Sequence, residues 1–88
     1  MDNEHRLQLE TLIERGQQAK VALSFFDGFE DEQKRRLWAA AQKSDAQMMA
    51  AIGHIALTVG AFKDYLTAAI SDGKIAEKDL QMEEIKNG

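Results

Sequence analysis

Residues 48–62 read MMAAIGHIALTVGAF. No charged side chain interrupts them, and apolar or small residues point in every direction around a helix of this composition. Met48, Ile52, Ile55, Val59, Phe62, Leu66 and Ile70 form one stripe at steps of 3 and 4. Roughly opposite lie Ala46, Ala50, Gly53, Leu57, Gly60, Ala61 and Ala68. Side chains this small let a second helix come close, at the short end of the usual spacing of about 8–10 Å. An ordinary amphipathic helix needs only the first stripe. One that is apolar on both faces is either covered twice or lies in a membrane. The uncharged run from Ala46 to Phe62 includes Gln47, His54 and two glycines, whereas a span needs about 20 mainly apolar residues, so no membrane partner is expected.

Toward the N-terminus, Leu9, Leu12, Gly16, Ala19, Leu23 and Phe26 repeat at 3, 4, 3, 4 and 3, the seam of a packed helix pair and the natural partner of the large-residue stripe. Asp2 or Asn3 can cap that helix, which is expected over residues 3–26. The stretch FFDGFEDE predicts a break, with Gly28 as the left-handed residue after the helix end and Asp27 and Glu30 capping a second helix over 30–43. Ser44-Asp-Ala-Gln47 fits another capping box, so a third helix is expected over 45–71. Asp72-Gly73 then predicts an end, followed by a short helix over 76–86 stapled by Ile75 and Leu80.

At 88 residues the chain has room for one domain, residues 1–88, which buries only about 60–65% of its unfolded surface. Cysteine is absent, so disulfides add nothing, and a reducing compartment is consistent with that. Proline is absent as well, so nothing forbids long helices, and Ala, Leu, Gln, Glu, Lys and Met favour them. The N-terminal MDNEHRLQLE lacks the apolar core of a secretion signal, which gives a cytoplasmic expectation. The expected fold is all-α: a small helical bundle built on a long helical hairpin, with three or four helices. So short a chain has little material to wrap its central helix, and completion by a homodimer is the simplest solution.

The candidate functional residues are few. His54 falls close to one line with Gln47, Thr58 and Tyr65, the pattern of an interface histidine with one satisfied hydrogen bond. No second His or Cys stands at helical spacing from it, so no metal is expected, and no cofactor. No Ser or Cys nucleophile has a recognisable His and acid beside it, so the chain reads as non-enzymatic. Ser71 to Leu80 lacks the alternating ligands of a calcium loop. Lys34-Arg35-Arg36 is the one basic run, with the acids Glu30, Asp31 and Glu32 just before it; i,i+4 pairs such as Asp31 with Arg35 are expected. Trp38 is placed to be core or an exposed anchor, and Phe25, Phe26 and Phe29 an aromatic cluster at one end of the bundle.

These features point to a helical interaction module that self-associates and binds another protein as inhibitor, adaptor or chaperone. Self-association is assigned to Ala46, Ala50, Gly53, His54, Leu57, Gly60, Ala61 and Ala68. Partner binding is assigned to Phe25, Phe29, Lys34, Arg35, Arg36 and Trp38. The alternative is a dimeric nucleic-acid regulator using Lys34, Arg35 and Arg36, against which the net charge of -4 counts.

Overall fold

The structure, a computed structural model, describes residues 2–87. It is a single antiparallel hairpin. Helix α1 spans Asn3–Gln42 (40 residues) and helix α2 spans Ala46–Asn87 (42 residues). The molecule measures 65 × 16 × 13 Å. Its radius of gyration is 19.5 Å, where a compact domain of this length would have roughly 12 Å.

Local chemistry fixes the ends. The Asp2 carboxylate accepts from the His5 backbone N–H at 2.7 Å and caps α1. At the other end Ser44 has φ of 53°, the left-handed region. The Asp45 N–H donates to the Ala40 carbonyl at 2.9 Å and the Ser44 N–H to the Ala41 carbonyl at 3.1 Å. Those two bonds are a Schellman closure with Ser44 where glycine is usual. Asp45 then caps α2, its carboxylate accepting from the Met48 N–H at 3.0 Å. The break expected near Ser44 is therefore present, although the capping side chain is Asp45 and Ser44 is the residue that reverses the chain.

The other two expected breaks are absent. Helix α1 runs through Asp27-Gly28 and α2 through Asp72-Gly73, and among the described residues no glycine has positive φ. The expected helices 3–26 and 30–43 are one, as are 45–71 and 76–86. The reason is the seam. It continues beyond Phe26 as Glu30, Gln33, Leu37 and Ala40, and beyond Leu66 as Ala69, Gly73, Ala76 and Leu80, still at alternating steps of 3 and 4. Packing along an unbroken seam outweighs the roughly 1 kcal/mol that a helical glycine costs against alanine. Leu80 thus sits in the seam, not in a staple with Ile75, which is exposed. Ala69 and Ile70 are both half-buried.

The core is narrow. Leu9, Ala19, Ala40, Ile52, Leu66 and Ala76 are its buried apolar residues. Gly16 and Gly73 face each other: a Cβ built on Gly73 would lie 3.1 Å from the Gly16 Cα and 3.0 Å from the Leu12 carbonyl oxygen. Backbone meets backbone there, which is why both positions lack a side chain.

Two seam positions are polar. Glu30 accepts from Lys63 Nζ at 2.6 Å across the helices, so it is an inter-helix partner and not part of a capping box. That hydrogen bond, and then the Glu30 charge with Asp27 and Asp64, raise the Lys63 pKa above its ordinary 10.5 against opposing desolvation. A raised folded value means the pair stabilises the fold below the ordinary lysine pKa. Its contribution is lost as pH climbs through the raised one.

The Gln33 Oε1 is buried with no hydrogen-bond partner. It stands beside a groove lined by Phe29, Leu37, Ile52, Ala56 and Gly60. Gln33→Leu removes an unpaired buried carbonyl and extends the apolar seam. It is expected to stabilise the chain by about 1–2 kcal/mol, read as a higher urea midpoint. An unchanged or lower midpoint would mean that the Gln33 amide is satisfied in solution.

Candidate interaction surface

Two helices side by side leave two broad faces and two outer edges, and the seam register decides what each displays. On the first broad face Lys20, Ser24, Asp27 and Lys63 gather around Leu23, with the Glu30–Lys63 pair beside them. Charge dominates this side.

The second broad face differs. Leu12, Arg15, Tyr65, Ala68 and Asp72 line one groove on it. Heptad steps from Arg15 along α1 reach Ala22, Phe29 and Arg36; steps from Tyr65 along α2 reach Thr58 and Ala51. Phe25 lies one turn before Phe29. The rings of Phe26 and Phe62 are 5.5 Å apart and those of Phe62 and Tyr65 are 6.4 Å apart. Phe25 is 74% exposed and Tyr65 71%. The middle of this face therefore shows aromatic and small side chains with no charge among them.

The aromatic cluster sits at mid-length, not at one end of a bundle. Sequence reasoning placed Phe62 wholly in the inter-helix stripe, yet it is half exposed. It did not single out Ala22 or Ala51 at all. The signal that finds them is the register itself: once Leu9 to Ala40 is one seam, the flanking positions of that seam define a side.

The residues assigned to self-association are all exposed. Ala46, Ala50, Gly53 and Leu57 lie on the outer edge of α2, and Gly60 lines the groove shared with Phe29 and Leu37 of α1. A Cβ built on Gly53 or Gly60 would meet nothing within 4 Å. His54, Ala61 and Ala68 occupy the rim between that edge and the second broad face. The Thr58 hydroxyl donates to the His54 carbonyl oxygen at 3.1 Å, and the His54 ring itself is solvent-facing, so no buried polar network forms with Gln47 and Tyr65.

Of the residues assigned to partner binding, Phe25 belongs to the second broad face, and Phe29 lines the groove that also holds Glu30, Lys34 and Lys63. Lys34, Arg35 and Arg36 fan apart. Lys34 borders the groove beside Gln33, and Arg36 borders another with Ala39, Lys43 and Met48. Arg35 is paired with Glu32, one residue short of the i,i+4 spacing expected. Trp38 is 70% exposed, so it is not core.

No protein-family model matches this sequence, and no curated protein and no solved structure is significantly similar to it. Among the described residues no group of three His, Cys, Asp or Glu is close enough to hold a metal ion. Among the described residues no helix is long and apolar enough to cross a membrane.

Proposed function

We propose that this chain is a non-enzymatic interaction module that self-associates and offers a remaining apolar face to another protein, as an inhibitor, adaptor or chaperone. One observation carries the reading. The hairpin exposes 6793 Å², where a compact monomer of 9.9 kDa would expose roughly 5200 Å². The excess, about 1600 Å², is more than the roughly 800 Å² that each partner contributes to a standard protein interface. Phe25, Leu57, Phe62 and Tyr65 are among the large apolar and aromatic side chains that the hairpin leaves exposed. An apolar helix face of this extent is stable in water when another helix lies on it.

The nucleic-acid reading has less support, because the three basic side chains point apart and Arg35 is engaged by Glu32. Sedimentation equilibrium on the native chain tests the proposal. The expected result is a reversible dimer at micromolar concentration, with thermal stability that rises with protein concentration. A cooperatively folded monomer across that range would overturn it.

A further inference from the structure

Two broad faces and two ends leave several ways for a second copy to dock. The charge pattern separates them. Residues 33–56, the loop end, carry Lys34, Arg35, Arg36 and Lys43 against the single acid Asp45. The open end, residues 2–14 with 77–87, carries eight acids against three bases. The hairpin is thus basic at the turn and acidic where its termini meet. If two copies lie with their turns together, bases stand over bases and acids over acids. If they lie turn to termini, each basic end meets an acidic one. The uncharged patch lies between these ends. Its α1 members Ala22 and Phe25 straddle the midpoint of Asn3–Gln42, and its α2 members Thr58, Phe62 and Tyr65 lie across from them. A two-fold axis through that level superimposes the patch on itself and overlaps the hairpins along nearly their whole 65 Å length.

We infer that the second broad face is the self-association surface and that the second copy lies on it antiparallel, turn against termini, in a four-helix arrangement with its axis near Phe25 and Tyr65. This rests on the self-association just proposed and adds the face and the direction. The charged first face, with Lys20, Asp27, Glu30 and Lys63, then stays in water. So does the outer edge of α2 around Gly53 and Leu57. Face and orientation are separate commitments, and each can fail alone.

The chain has no cysteine, so one introduced thiol gives one label. Gln42→Cys, at the exposed end of α1, is spin-labelled and the inter-label distance measured by pulsed electron resonance. At 1.5 Å per residue, the antiparallel arrangement separates the two labels by roughly 50 Å, and the turn-to-turn arrangement by under about 25 Å. A short distance overturns the orientation and leaves self-association standing.

The face is tested by Phe25→Glu, which sets a charge in the patch. It is expected to weaken dimerisation at least tenfold with helicity by circular dichroism unchanged, since Phe25 makes little contact within its own chain. Ser24→Glu adds the same charge one residue away, on the first face, and is expected to leave the dimer within twofold of the native affinity. If Ser24→Glu dissociates the dimer and Phe25→Glu does not, the face is wrong. A native chain that sediments as a monomer overturns this inference and the reading beneath it together.

Discussion

Gly16→Leu is expected to unzip the open half of the hairpin, at a cost of about 3 kcal/mol or more. A Cβ on Gly16 would already stand 3.1 Å from the Ala69 carbonyl oxygen and 3.2 Å from the Gly73 Cα. Both are backbone atoms of α2, so no side chain can swing aside, and the three further side-chain carbons of leucine have nowhere to go but between the helices. Overpacking a well-filled site typically costs about 1–3 kcal/mol. Here the helices must also separate, which uncovers Leu9 and Ala76 on either side. Against a total stability of roughly 4–13 kcal/mol for a chain of this length, the loss is large. The signature is a fall in the urea midpoint with loss of the Arg6–Glu84 pairing, seen in solution as fast amide exchange near both termini. The same substitution at Gly60, where nothing lies within 4 Å of the built Cβ, is expected to leave the hairpin intact. Equal tolerance at the two positions would rule out the close backbone approach.

Leu66→Ala and Leu57→Ala form the second expectation. The two leucines lie nine residues apart in the same helix, and their surroundings differ completely. Leu66 is 7% exposed in the seam and Leu57 is 74% exposed on the outer edge. Truncating a buried leucine removes its transfer free energy and leaves a cavity, for about 2–5 kcal/mol. Truncating an exposed one falls within about 0.5 kcal/mol. The hairpin has only six buried apolar side chains among its described residues, so Leu66→Ala should remove most cooperative unfolding in a thermal melt. Leu57→Ala should melt as the native chain does. Similar losses at both would mean that α2 is covered on its outer edge as well.

Both expectations depend on register, and register was only partly legible in the residues. The seam from Leu9 to Phe26 was readable because every member is apolar or small. So was the turn at Ser44, because Asp45 and its neighbours carry capping side chains. The continuity of the helices was hidden by chemistry that serves two purposes. Gly28 and Gly73 each follow an aspartate, the usual signature of a helix end, yet neither adopts positive φ. Gly73 is there for the contact with Gly16, which lies 57 positions earlier in the chain and is invisible to any local rule. Glu30 and Gln33 interrupted the apolar pattern although the carboxylate of one reaches Lys63 across the seam. With the seam cut at Phe26, the flanking positions could not be sorted by side. The uncharged stretch of α2 therefore read as one small-residue face, when its members divide between an outer edge and the rim of a broad face.

The three-residue reversal at Lys43, Ser44 and Asp45 has a kinetic consequence. Every inter-helix contact joins positions whose numbers add to nearly the same total, so sequence separation grows steadily with distance from the turn. Pairs such as Ala40 with Met48 enclose a short loop, whereas Arg6 with Glu84 encloses almost the entire polypeptide. Loop-closure entropy then orders the assembly: the pairing nucleates beside the reversal and propagates one heptad at a time toward the termini, like a zip drawn from its closed end. Each new layer closes a loop already shortened by the layer before it, and the termini are the last part to order and the first to fray.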